Sequence, residues 1–191
     1  MNQETPDQAG RPDAILNAAF GVFAAYGYRR TTMEDIAQAA GLSRTALYMH
    51  FRSKDDILRS LTLRHFEECL LAMELALNAP GQSVEAALYA GFVAKDGKVM
   101  DIVLSTPHGA ELLDAGMSLT ADLVRSAQER VAALLCRWLE GRGLPEGLAP
   151  AQSLAQTIVA ALLGLKSNAK TLDDLRAGQR QLARLIAQAM R

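Results

Sequence analysis

The sequence predicts an all-α protein, and three observations carry that reading. Half of its 191 residues are hydrophobic while only 5% are aromatic, so the core has to be assembled from Ala, Leu and Met, which favour helices over strands. Apolar residues recur at helical spacing in one segment after another, and all six prolines fall outside the helix interiors so defined. The length suits one or two closely packed domains that need no disulfides, and Cys69 and Cys136 lie far apart on predicted helices, the pattern of reduced thiols.

Residues 1–11, MNQETPDQAGR, lack a periodic apolar face and are expected to form a flexible arm. Arg11 is a candidate groove contact, but Glu4 and Asp7 weigh towards a solvated tail. Pro12 or Asp13 starts the first helix, Ile15, Ala18, Ala19, Val22, Phe23 and Tyr26 give it one apolar face, and Gly27 ends it. Thr31-Thr32-Met33-Glu34 fits the capping box S/T-x-x-E, so a second helix is expected from Thr31, with Ile36, Ala37 and Ala40 inward. Gly41 then redirects the chain within three residues and Ser43 caps a short third helix. That helix turns Ala46, Leu47 and Phe51 inward and leaves Arg44, Thr45, Tyr48 and Met49 outward. A helix, a tight turn and a second helix with polar side chains facing out is the arrangement that reads DNA in the major groove. Ser53 caps a fourth helix running to Pro80-Gly81, about 25 residues or roughly 37 Å of rod.

Phe23-x3-Gly27-Tyr28, Thr31-Thr32-Met33, Ile36-Ala37, Ala39-Ala40-Gly41-Leu42-Ser43, Leu47-Tyr48, His50-Phe51 and Ser53-Lys54 stand together in this order. On these clusters, which cover roughly the first third of the chain, the sequence resembles the TetR/AcrR family of bacterial transcriptional regulators. The resemblance implies an N-terminal three-helix helix-turn-helix DNA-binding domain, residues 12–58, joined to a helical ligand-binding and dimerisation domain, residues 59–191. It implies a homodimer that binds a double-stranded DNA operator and is released from it, as a repressor, by a small apolar or amphipathic effector. Thr32, Tyr48 and His50 match the family motif as DNA-backbone contacts. Many members carry Thr or Ser where Ala46 stands, so one hydroxyl contact to phosphate is missing here.

Among the outward residues, Ser43, Arg44, Thr45 and Met49 complete the expected DNA surface. Arg44 can make a bidentate contact to guanine or, alternatively, meet a phosphate. Lys54, at the start of the fourth helix, is expected to face the phosphate strand. The net charge of −1 argues against a general polyanion binder, but its distribution is uneven. From Tyr28 to Phe66 there are seven basic and four acidic residues, +3, which leaves −4 elsewhere.

Beyond Pro80 the pattern predicts helices near Ser83–Ala94, Val99–Leu104 and Pro107–Ala115, with breaks at Asp96-Gly97 and Thr106-Pro107. Pro107 suits a first helical position, and Gly116 marks a possible kink before a longer helix near Ser118–Glu140. After the loop Gly141–Pro145, two helices follow near Ala151–Asn168 and Asp173–Met190. The first of these is apolar nearly all round, so a four-helix bundle with a symmetry mate is expected, with Ile158 at the centre of the interface. The alternative is that both helices complete a monomeric core.

The middle helices carry a candidate ligand-binding set, His65, Phe66, Cys69, Met73, Phe92, Met100, His108 and Met117, with Trp138 and Gln128 beside it. Ordinary core packing explains each of them equally well. His65 and Cys69, four residues apart, supply at most two metal ligands, and core packing is favoured; no metal site and no cofactor is expected. No Cys-x2-Cys pair, His-Glu-x2-His, Gly-x-Ser-x-Gly or phosphate loop occurs, so an enzyme is not expected. The polar start lacks the apolar run of a secretory leader, and the run Ile158–Leu165 is far short of the roughly 20 residues of a membrane span, which points to the cytoplasm. A helical small-molecule carrier or enzyme that retains a helix-turn-helix end is the runner-up.

Overall fold

The computed structural model describes residues 11–145, 148 and 150–191, with the side chains of residues 11, 98–105 and 113 left aside. The expected arm therefore lies outside the described residues apart from Arg11, which opens the first helix, and so does the side chain of Met100. The described residues form helices and connecting turns, with no strand among them. In chain order the helices are α1 Arg11–Tyr26, α2 Met33–Ala39, α3 Arg44–Tyr48, α4 Lys54–Leu77, α5 Val84–Ser105, α6 Gly109–Leu119, α7 Ala121–Arg142, α8 Ala151–Asn168 and α9 Leu172–Ala189. Two compact units result: residues up to Arg64 with Ser105–Ala121, and His65–Leu104 with Asp122–Arg191.

In the first unit, Ile15, Ala19 and Phe23 of α1 meet Ile36 and Ala37 of α2, Leu47 of α3 and Ile57, Leu58 and Leu61 of α4. Leu47 is fully buried, and removing a side chain of that size from water stabilises by about 1.5–3 kcal/mol. That single anchor is what fixes which face of the five-residue α3 points outward. Leu112 of α6 joins the same core, so residues 105–121, expected with the ligand-binding domain, pack with the DNA-binding end.

The capping box of α2 sits one residue later than expected: Thr32 is the N-cap and Asp35, not Glu34, completes the box. Thr31 is unavailable because it is buried and its hydroxyl donates to the Gly27 carbonyl at 2.8 Å. Ser43 caps α3 through the Ala46 N–H at 3.1 Å, and Ser53 caps α4 through the Asp56 N–H at 3.1 Å.

The second unit buries Met73 and Leu77 of α4, Leu88 and Phe92 of α5, Leu135 and Leu139 of α7, and Ile158 and Leu162 of α8, with the Trp138 indole N–H bonded to the Leu77 carbonyl at 2.9 Å. Helix α5 is broken at Gly97, whose φ of 60° and ψ of −173° interrupt the helical hydrogen-bond ladder, as the Asp96-Gly97 signal implies. Gly116 does not kink: α6 runs through it to Leu119, and the break falls at Thr120, whose N–H and hydroxyl both return to the Gly116 carbonyl. Pro107 stands before the helix rather than at its first position, since His108 is the N-cap of α6. Ile158 is 2% exposed within the single chain, so it belongs to this core and not to the centre of an interface.

Candidate nucleic-acid interface

The helix-turn-helix is held from behind by a cluster on the loop between α1 and α2. Gly27 adopts a φ of 85°, closed to side-chain-bearing residues at low cost, and lets the chain turn sharply. Lys54 then reaches back across this loop: its ammonium donates to the carbonyls of Tyr28 at 2.9 Å, Arg29 at 3.1 Å and Thr31 at 3.0 Å, and lies 4.7 Å from the centre of the Tyr28 ring. All three ammonium protons are used. Lys54, expected as a phosphate contact, is thus directed inward, because three carbonyls left over by the turn form a better cage than solvent.

Tyr28 packs on Phe23 at 5.2 Å between centroids and donates its hydroxyl to Asp55. Burial, reinforced by that carboxylate, drives the Tyr28 phenol well above its ordinary range, so it stays protonated and keeps donating. From α6, Glu111 accepts the Arg29 backbone N–H at 2.8 Å, and its carboxylate stands where a Cβ on Gly27 would come within 2.7 Å. Arg64 ties α4 to α1 through Asp13 and Asn17.

On this support the expected DNA residues divide by what their polar atoms already do. Arg44, Thr45, Tyr48, Met49 and His50 are exposed, Met49 at 82%. The Arg44 guanidinium lies 5.6 Å from the Tyr48 ring centre one turn along, an arrangement that orders a long side chain without occupying all five of its donors. Ser43 spends one oxygen lone pair on the Ala46 N–H and keeps its O–H to donate. Thr32 is exposed but committed, since its hydroxyl donates to the Asp35 carboxylate at 2.7 Å and accepts the Asp35 N–H at 3.2 Å; the hydroxyl, together with the Thr32 backbone N–H at 2.8 Å, holds that carboxylate below the usual range.

The ligand-binding set is divided between the two units. His65, Phe66, Cys69, Met73 and Phe92 lie in the second unit, whereas His108 and Met117 belong to the first. Met73 and Phe92 are ordinary core, fully buried. His108 borders a shallow depression with Tyr26, Arg30 and Asp35, and Met117 is exposed. His65 and Cys69 do meet, sulfur to Nδ1 at 3.5 Å, and neither carries charge: burial pushes the imidazole down to about 4 and the thiol up to about 11. Among the described residues no group of three or more His, Cys, Asp or Glu is placed to hold a metal ion, and no helix is long and apolar enough to cross a membrane.

Sequence reasoning missed a polar cluster in the second unit made by Lys95, Asp96, Lys166 and Gln179. Asp96 registers in the sequence only as part of a helix break. The available signal was Lys166, the one charge in α8, following the apolar run Ile158–Leu165.

Residues 15–61 match the family model described as bacterial regulatory proteins, tetR family. Over 119 residues, 60% of this chain and 58% of the relative, the sequence is 30% identical to the HTH-type transcriptional repressor KstR2 of Mycolicibacterium smegmatis. Over 129 residues, 66% of this chain and 55% of the relative, it is 30% identical to the HTH-type transcriptional activator FasR of the same species. The chain spans little more than half the length of these curated relatives. The crystal structure of a transcriptional regulator from Cytophaga hutchinsonii superposes with a TM-score of 0.71 at 19% identity, covering 94% of this chain and 97% of that one, a likeness of fold. The chain thus carries a helix-turn-helix end, residues 15–61, that matches the tetR family of bacterial regulatory proteins, on a fold shared along almost its whole length with a solved transcriptional regulator.

Proposed function

We propose that this protein is a ligand-responsive, sequence-specific DNA-binding regulator, acting as a repressor and as a homodimer. The observation that carries the reading is the outward row Arg44, Thr45, Tyr48 and Met49 on a helix whose opposite side is locked by the buried Leu47. A short helix with one buried anchor and three exposed side chains, followed by the exposed Met49, presents a fixed surface to base edges, with Arg44 reading guanine and Ser43, Tyr48 and His50 positioning the duplex. Lys54 and Thr32 serve this surface indirectly, by holding the loop and cap behind it.

The dimer face lies on the outward side of α8 and α9, where Leu163 is 37% and Leu185 53% exposed beside Ala160, Gly164 and Ala177. Small residues let two such helix pairs approach closely, and the two apolar side chains fill the seam. The second unit is the effector-binding part. The test is a mobility-shift assay of the intact protein on genomic fragments, followed by transcription from the bound fragment with and without protein. A bound fragment whose transcription falls on adding protein is the expected result; transcription that rises makes it an activator, and no fragment retained above random DNA removes the DNA-binding reading.

A further inference from the structure

The basic residues around the helix-turn-helix differ in what they leave free. Between Tyr28 and Phe66, Lys54 is committed to three carbonyls, Arg59 donates to the Leu119 carbonyl at 3.5 Å, and Arg64 holds Asp13 and Asn17. Arg44 lies over Tyr48 and belongs to the surface already described. Arg29 borders a groove with Glu111 and Asp114, and Arg30 a depression with Asp35, so each shares its surroundings with a carboxylate. Arg52 is different. Its side chain is exposed and makes no hydrogen bond, ion pair or ring contact among the described residues. Its backbone, by contrast, is held: the Arg52 N–H donates to the Asp56 carboxylate at 3.1 Å, the Asp56 N–H returns to Ser53 Oγ at 3.1 Å, and Phe51, 7% exposed, anchors the turn in the core. An uncommitted guanidinium thus stands on a fixed point of the chain, four residues beyond the end of α3.

That position matters because α3 is short. Five residues rise about 7.5 Å, less than the roughly 12 Å width of the major groove. With α3 in the groove, the turn that continues from it, residues 49–52, comes up against the groove's wall, and the wall is phosphate. The start of α4 offers no cation there: Lys54 is turned inward, and Asp55 and Asp56 in the first turn already answer the positive end of the helix. A guanidinium with free donors suits a phosphate, whose oxygens it can meet in pairs.

We propose that Arg52 makes the DNA-backbone contact beside the recognition helix, its guanidinium bound to a phosphate on the wall of the major groove, in the role that sequence position alone suggests for Lys54. The proposal rests on the reading of α3 as the DNA-reading helix. Fluorescence anisotropy of the intact protein across a salt series tests it, on a random-sequence duplex and on the genomic fragment retained in the mobility-shift assay. Arg52→Gln should weaken binding to both about ten-fold and reduce the slope of log K against log salt by about one unit per subunit. Its melting temperature should stay within about 2 °C of the parent's, because no bond within the protein is lost. Arg52→Lys should keep the slope, since the charge stays. Arg137→Gln, the same loss of charge at an exposed position of α7, should leave it unchanged. The proposal is overturned if Arg52→Gln keeps the parent's slope, or alters it no more than Arg137→Gln does. A parent that binds neither duplex at low salt sinks the DNA-binding reading and Arg52 with it, whereas a parent that binds both while Arg52→Gln keeps its slope sinks Arg52 alone. Equal affinity of the parent for the two sequences, with the slope reduced in Arg52→Gln, removes sequence specificity and leaves the contact.

Discussion

Replacing Lys54 by Ala should act on the fold of the helix-turn-helix and not on its electrostatic contact with DNA. The side chain gives three charge-assisted hydrogen bonds, 2.9 to 3.1 Å, to carbonyls 28, 29 and 31, and a cation–π contact with Tyr28 at 4.7 Å. A hydrogen bond to a charged group contributes about 1.5–3 kcal/mol, but these three share one ammonium and partly exposed carbonyls that water can reach, so about 2–4 kcal/mol in total is the reasonable size. For a unit of this size that is a fall in melting temperature on the order of 10 °C. The assay has two readouts on Lys54→Ala, thermal melting by circular dichroism and operator affinity across a salt series. Melting should fall, affinity should fall on operator and random DNA alike, and the slope of log K against log salt should stay as in the parent, because no phosphate contact is lost. Unchanged melting together with a slope reduced by about one unit would refute the argument and return Lys54 to the phosphate strand.

Three other outcomes are expected. Arg44→Ala should shrink the gap between operator and a mutated site by about 1–3 kcal/mol in binding assays while leaving melting unchanged; equal weakening on all sequences makes Arg44 a phosphate contact. Leu163→Asp should leave helicity intact and yield a monomer by light scattering, whereas Ile158→Asp should fail to fold stably, since it places a charge in the core at a cost of several kcal/mol; a stable dimer of Leu163→Asp puts the interface elsewhere. His65 has a folded pKa depressed to about 4 from 6.5 by burial, with Lys166 and Lys95 adding to the depression and Asp96 opposing it. The unfolded chain therefore binds the proton first as pH falls, so stability present above about pH 6.5 is lost towards pH 4, by up to about 3 kcal/mol, and His65→Gln should flatten that part of a denaturation series.

The helices were legible because their ends carry local chemistry: Ser43, Ser53 and Gly27 act where the sequence puts them. The exceptions are equally physical. Thr31 looked like a cap but is held by a carbonyl four residues back, and Gly116 looked like a break but needs no special conformation inside α6. Side-chain partners across long separations were not legible. Lys54 has charge and position for a phosphate contact, and only the fold shows that residues 28, 29 and 31 present three carbonyls to it. Likewise nothing local tells that Asp96 and Gln179, 83 residues apart, share a hydrogen bond, or that α6 packs on α1.

That last contact bears on how the proposed effector would act. The chain passes between the two units three times, at Arg64–His65, Leu104–Ser105 and Ala121–Asp122, so a change in the second unit has two covalent ways into the first, along α4 and through α6. Both end on the same five residues. Helix α4 brings Lys54 to the carbonyls of Tyr28, Arg29 and Thr31 and Asp55 to the Tyr28 hydroxyl, while α6 brings Glu111 to the Arg29 N–H. Residues 27–31 lead directly into the cap of α2, against which α3 is set. Coupling between an effector and an operator is typically about 1–3 kcal/mol, and one or two hydrogen bonds to charged groups amount to the same. A shift of either helix that breaks a bond or two on this loop is therefore large enough to change operator affinity, with no rearrangement of the buried core beneath α3.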